Sequence, residues 1–168
     1  MPDLSPFHAW FVFIHVLGVF LFLIFHGASV AVLFRVRNER DPLVLRPLLD
    51  LSARSVAGMG IGAAIWFFAG ILAGFSGNFW ATGRLWLWVS LVLTVVIVGL
   101  MTPLGAFYIN RVRSAVGIDP KTRAVDPAFV ADPAAIEAAA RSGQPMLLAA
   151  IGFGGLAVLL YLMMFKPF

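Results

Sequence analysis

The chain has 168 residues, of which 61% are hydrophobic and only 12% are charged. A soluble domain is typically ~45–50% apolar and ~25% charged, so this composition predicts a chain solvated mostly by lipid. There is no cysteine, which excludes disulfides, iron–sulfur clusters and thiolate metal sites. The net charge of +4 does not indicate nucleic-acid binding, because the basic residues lie in two short connections beside apolar segments.

Four apolar segments are each near the ~20 residues needed to cross the hydrocarbon of a bilayer. They cover approximately residues 10–34, 56–75, 85–109 and 146–165. Because unpaired backbone groups are not tolerated in lipid, we expect helices, and therefore a single all-α integral membrane four-helix bundle over residues 1–168. Ser5-Pro6 predicts the N-cap and first-turn proline of the first helix. Its apolar run is too long for a cleaved signal, so we expect this helix to be retained.

The two connections that follow the first and third spans, 35–55 and 110–145, contain signals for helix starts. Asp41-Pro42 and Asp132-Pro133 each combine an N-cap residue with a first-turn proline. The second pair predicts a short helix over residues 134–142. Both connections are therefore expected to contain local structure.

Loop charge predicts the orientation of the chain. Of the 12 basic residues, ten lie in connections 35–55 and 110–145, which leaves Arg84 and Lys166 for the other side. The positive-inside rule then makes both connections cytoplasmic and places both termini outside. An aromatic belt at the outer interface agrees with this orientation, and its members are Trp10, Trp80, Trp86 and Trp88.

The second span is rich in glycine. The Gly70-x-x-x-Gly74 spacing permits close helix contact, because helices in lipid associate largely by packing. The glycines from Gly58 to Gly62 allow two interpretations. They either pack against a neighbouring helix or let a flat macrocycle approach the backbone.

The only histidines are His8, His15 and His26. At 100° per residue their spacing places all three on one face of the first helix. His8 is expected at the outer surface, whereas His15 and His26 lie within the bilayer, roughly 16 Å apart. Ionisable side chains inside a span usually face the bundle interior and are functional candidates. Because imidazole is a common metal ligand, the pair predicts either two tetrapyrrole sites or successive metal stations, with hydrogen bonding between helices as the structural alternative.

The other three spans contain no histidine, so a heme bound within one subunit needs a different second axial ligand. That ligand would be a methionine, an open position or a histidine from another subunit. Matching the depths of the spans gives one set of partners for each histidine. The candidates are Met59 or Met101 opposite His26, and Tyr161, Met163 or Met164 opposite His15.

Several short motifs occur along the chain: Phe13-Ile-His15-Val-Leu-Gly18, then Arg35-Val-Arg37, a tryptophan-rich start of the third span, and Met164-Phe-Lys166-Pro167. Together they resemble four-helix bacterial membrane proteins related to the copper-resistance D family, and an uncharacterised family of integral membrane proteins in that group. The resemblance implies a bacterial inner-membrane location and copper uptake. The similar protoporphyrinogen-oxidase-like proteins bind heme through a first-helix histidine, which carries over to His15 alone. The lysine that those enzymes use in a later span has no counterpart here, so oxidase activity is not expected.

The leading hypothesis is a membrane protein that binds heme b, or a related tetrapyrrole, through His15 and/or His26. It would act in electron transfer or as an anchor within a larger redox complex or a homo-oligomer. The first alternative is copper handling, with His8, His15, His26, Met163 and Met164 as stations. The second is a structural accessory subunit without a cofactor. All 8 carboxylates lie in connections or at helix ends, so neither a proton relay nor a known catalytic signature is expected.

Overall fold

A computed structural model describes residues 3–80, 84–126 and 128–167, so the extreme ends of the predicted domain 1–168 lie outside the described residues. Within these ranges the chain forms four long helices and a short one. They are α1 (His8–Asn38), α2 (Pro42–Ser76), α3 (Leu85–Ala115), α4 (Pro133–Ala140) and α5 (Gln144–Phe165). Four helical stretches are long and apolar enough to cross a membrane. The predicted all-α four-helix membrane fold is confirmed.

The first three long helices extend well beyond the predicted spans. They contain 31, 35 and 31 residues, and at ~1.5 Å per residue each exceeds the ~30 Å of hydrocarbon. As a result, connection 35–55 is mostly helical, with its break at residues 39–41. Hydropathy marks where lipid ends, whereas the helices continue into water with ion pairs such as Asp50–Arg54, at 2.9 Å.

Two of the three predicted helix starts are correct. The side chain of Asp41 accepts a hydrogen bond from the backbone N–H of Leu43, and Asp132 caps the start of α4 in the same way. The prediction for Ser5 is wrong, because Ser5 lies inside a 3-10 turn, Ser5–Phe7, that precedes α1. Its backbone N–H instead donates to the carboxylate of Asp3 at 3.0 Å.

The largest buried cluster lies where α1 and α3 end and α2 and α5 begin, which we call the basic end. We name this cluster the cap. It contains Val32, Leu33, Val36, Leu45, Leu49, Tyr108, Ile109, Val112, Ala115, Val116, Ile118, Ile136, Ala139 and Leu148. An ion pair between Arg40 and Glu137 joins the α1–α2 connection to α4. The cap thus ties every helix to its neighbours at one end of the bundle.

The rest of α1, α2, α3 and α5 forms what we call the membrane half, which is built from two helix pairs. In the described residues α1 packs along α2 and α3 packs along α5, with far fewer contacts between the pairs. Glycines permit the approach of α1 to α2. A Cβ added to Gly18 would lie 2.5 Å from the backbone nitrogen of Trp66, and one added to Gly62 would lie 2.6 Å from that of Phe22. The two helices therefore meet backbone to backbone.

The remaining glycines of α2 face side chains. Gly58 lies under the ring of Phe25 of α1, so the space beside this glycine is filled by a side chain of the neighbouring helix. Gly70 and Gly74, which the sequence predicted to face a helix, receive the ring of His15 and the indole of Trp80.

Candidate metal centre on the histidine face of α1

Each of the three histidine rings lies against a glycine. His8 contacts Gly77 at the end of α2, His15 contacts Gly70 of α2, and His26 contacts Gly152 of α5. A Cβ added to these glycines would lie 2.9, 2.7 and 3.2 Å from the nearest ring atom. The face of α1 that carries the three histidines is thus turned toward α2 and α5, and each glycine makes room for an imidazole.

His8 joins the start of α1 to the end of α2. Its Nδ1 lies 2.9 Å from the hydroxyl oxygen of Ser76. That hydroxyl donates its hydrogen to the carbonyl of Ala73 at 3.1 Å, so toward His8 it acts as an acceptor. The arrangement is a polar contact between two helix ends and needs no metal.

His15 donates from Nδ1 to the backbone carbonyl of Trp66 at 2.7 Å. Because a carbonyl can only accept, a neutral ring carries its hydrogen on Nδ1 and presents the lone pair of Nε2. Metal-ligating histidines usually have such a partner on their second nitrogen, since it fixes the tautomer and the ring orientation. The same bond also joins α1 to α2, so both interpretations from the sequence stay open for His15.

His26 is the buried histidine, with 8% of its surface exposed. Its ring stacks on Phe22 at 5.4 Å between centroids and meets the edge of Phe153 at 6.0 Å. Its ring nitrogens have no hydrogen-bond partner among the described residues. A neutral imidazole keeps the lone pair of one ring nitrogen, which can bind a metal ion.

Met101 of α3 lies beside His26. A Cβ added to Gly152 would lie 3.1 Å from the methyl carbon of Met101 and 3.2 Å from Nε2 of His26. The imidazole of His26 from α1 and the methyl end of Met101 from α3 therefore border the same space, where α5 has no side chain. We call this space the Gly152 gap.

The other predicted donors lie elsewhere. Met59 is half-buried on α2. Met163 and Met164 are exposed on α5, by 37% and 68%, whereas His15 packs against α2. Among the described residues no three His, Cys, Asp or Glu side chains converge as a metal site. The donors that the structure brings together are thus His26 and Met101.

The space at the Gly152 gap is narrow. A heme needs a van der Waals layer of ~3.5–4 Å beyond its plane, and the position of a Cβ on Gly152 is only 3.2 Å from Nε2 of His26. On the side of the His26 ring that faces α5, there is therefore less than one such layer between the nitrogen and a Cβ at Gly152. A single ion between nitrogen and sulfur requires no such layer.

Two features of this site did not follow from the sequence. Gly152 had no predicted role, although a glycine in an apolar helix permits close approach of another side chain. The pairing of His15 with the carbonyl of Trp66 was not predicted either, because a backbone acceptor leaves no signal in residue identity.

The fold and the site define a multi-pass four-helix membrane protein in which a histidine and a methionine side chain lie beside the same glycine. No family model, no curated protein and no solved structure matches the chain.

Proposed function

We propose that the protein binds copper(I) inside the membrane, with Nε2 of His26 and the thioether sulfur of Met101 as donors. The observation that supports this function is the Gly152 gap, where both side chains border the same missing Cβ. Thioether ligands favour copper(I), and imidazole binds copper well. The protein would then handle or transport copper, as the resemblance to the copper-resistance D family implies.

The two donors also favour an ion of low charge. Imidazole and thioether are both neutral, so the bound site keeps the full charge of its metal. Burying uncompensated charge in a medium of low dielectric constant is costly, and a monovalent ion minimises that cost. An interior with these two donors therefore favours copper(I) over divalent metals.

The other histidines extend the proposal along α1. His15 lies roughly 16 Å from His26 along the helix and presents Nε2, while His8 lies nearer the terminus. These rings would be successive stations between one side of the membrane and the Gly152 gap. The orientation proposed from loop charge has the basic end in the cytoplasm and both termini outside, in a bacterial inner membrane.

Heme b is the second candidate function, and it rests on His15. The hydrogen bond from its Nδ1 to Trp66 is the kind that orients a ligating imidazole. The protein would then serve in electron transfer, or as an anchor subunit of a membrane redox complex or homo-oligomer. This candidate rests on that one hydrogen bond, so we derive no further step through the cofactor.

The test is a copper(I) competition with a chromophoric chelator, using the purified full-length protein in detergent. Met101→Leu keeps the volume and removes the sulfur, and Gly152→Ala fills the gap. Each change is expected to weaken copper(I) binding by about tenfold or more, since even indirect perturbation of metal ligands costs that much. Met164→Leu is the matched control, because this methionine is exposed on α5, and its affinity should equal that of the wild type.

Equal copper(I) affinity in the wild type, Met101→Leu and His26→Gln would contradict the copper proposal. An absorption spectrum separates the remaining candidates. A Soret band that disappears in His15→Ala supports heme. A protein that binds neither copper nor heme fits the structural accessory subunit.

A further inference from the structure

A second, separate cavity lies at the basic end, between the start of α2 and the connection that follows α3. Its volume is about 240 Å³, and three arginines line it: Arg46, Arg113 and Arg123. The remaining lining residues are Leu49, Asp50, Ala53, Ile118 and Val125. It is a small pocket lined by three arginines, one aspartate and four apolar residues.

Two of these arginines donate hydrogen bonds to neutral groups. Arg113 is 9% exposed, and its guanidinium donates to the side-chain oxygen of Asn110 at 3.1 Å. Arg46 donates to the backbone carbonyl of Val116 at 3.1 Å. Within residues 3–80, 84–126 and 128–167, no ion pair joins either of them, or Arg123, to an acidic group. Asp50 also lines the pocket, but it pairs with Arg54 at 2.9 Å.

Arg123 is held at the pocket by a tight loop. The carboxylate of Asp119 accepts from the backbone N–H groups of Lys121 and Thr122, each at 2.7 Å, and these bonds lower the pKa of Asp119. Arg123 itself has a φ of 59°, in the left-handed region. This conformation costs an ordinary residue ~1–2 kcal/mol. Strained residues cluster at ligand sites, where the surrounding structure imposes the conformation.

We propose that this pocket binds a phosphate group through Arg46, Arg113 and Arg123. Guanidinium groups bind phosphate through paired, charge-assisted hydrogen bonds. An anion would also compensate the charge of Arg113, which is costly to bury unpaired. The phosphate belongs either to the headgroup of an anionic phospholipid or to a soluble phosphate compound. Basic pockets on the cytoplasmic side of membrane proteins commonly take lipid headgroups.

The experiment has two arms, both on the full-length protein. In the first, the protein is placed in nanodiscs of phosphatidylcholine with or without phosphatidylglycerol, and retained lipid is measured by native mass spectrometry. In the second, inorganic phosphate is titrated against the protein in neutral detergent, and the shift of the melting temperature is followed. Arg123→Gln is the main variant because Arg123 is exposed and tolerates change better than buried Arg113. Arg35→Gln is the control, since Arg35 pairs with Glu39 on α1 and does not line the pocket.

Removing one charge-assisted donor is expected to weaken binding at least about tenfold in Arg123→Gln and to leave Arg35→Gln unchanged. Phosphatidylglycerol retention that is lost in Arg123→Gln, with no effect of inorganic phosphate, identifies a lipid headgroup. Stabilisation by inorganic phosphate that is lost in the same variant identifies a soluble ligand. The proposal is overturned if neither probe binds, or if both variants bind as the wild type does.

Discussion

The cap and the membrane half of this bundle bury their side chains in different ways. In the cap, Leu45, Leu49 and Val116 are each no more than 1% exposed, as in the core of a soluble protein. In the membrane half, large apolar side chains such as Ile24, Phe68 and Val95 are more than 60% exposed, and the helices instead meet at glycines. Water drives apolar burial in the cap, whereas in lipid that force is absent and close packing replaces it. The same chain thus uses two sources of stability, and each can be disturbed separately.

The largest effect is expected in the cap. Leu49→Ala removes a side chain that is 1% exposed, and such truncations cost ~2–5 kcal/mol. Ile61→Ala, on the same helix but 60% exposed toward lipid, should change the free energy of unfolding by about 0.5 kcal/mol or less. Denaturant titration in detergent micelles measures both. Equal losses for the two variants would mean that the cap is no more tightly packed than the membrane half.

A smaller effect is expected at the contact between α1 and α2. Gly18→Ala places a Cβ 2.5 Å from the backbone nitrogen of Trp66, which forces the helices apart and costs ~1–3 kcal/mol. Gly27→Ala, on the same helix, meets nothing within 4 Å. It should be neutral or stabilise by up to ~1 kcal/mol, because alanine favours helix. Denaturant titration in detergent micelles measures both variants. An unchanged free energy of unfolding in Gly18→Ala would show that backbone contact does not hold α1 and α2 together.

The smallest effect concerns a polar atom inside the cap. The hydroxyl of Tyr108 is fully buried and has no hydrogen-bond partner in the described part of the chain. Tyr108→Phe removes an unpaired polar group, so we expect a gain in stability of ~1 kcal/mol. Ser90→Ala is the contrast, because the buried Ser90 hydroxyl donates to the carbonyl of Trp86 at 2.7 Å and its loss should not stabilise. A loss of stability in Tyr108→Phe would indicate that the hydroxyl binds an ordered water.

Much of the membrane half could be predicted from the sequence, because lipid leaves a strong signal in hydropathy. The four spans, the shared face of the histidines and the proximity of Met101 to His26 all followed from composition, helical periodicity and depth. The same signal failed at the basic end. There, the sequence predicted a helix start at Asp41-Pro42 but not that α1 and α2 continue through most of connection 35–55, since hydropathy does not distinguish a loop from a helix that continues into water.

The Gly152 gap and the arginine pocket also differ in how far the sequence predicts them. His26 and Met101 lie on long helices, where position in the chain fixes depth in the membrane. Arg46, Arg113 and Arg123 come together only because the connection after α3 folds back on α2, with Gly117 at a φ of 76° and a bridge from Ile118 to Val125. Such a turn depends on tertiary contacts with the cap. The spacing of these arginines in the sequence contains no sign of it.

We propose that an imidazole from α1 and a thioether from α3 share one metal ion at Gly152. X-ray absorption at the copper edge, on copper(I)-loaded protein, tests this directly because it distinguishes nitrogen from sulfur neighbours. We predict one nitrogen from imidazole and one sulfur in the wild type, and loss of the sulfur signal in Met101→Leu. A spectrum without sulfur in the wild type, or one unchanged by Met101→Leu, would contradict the account.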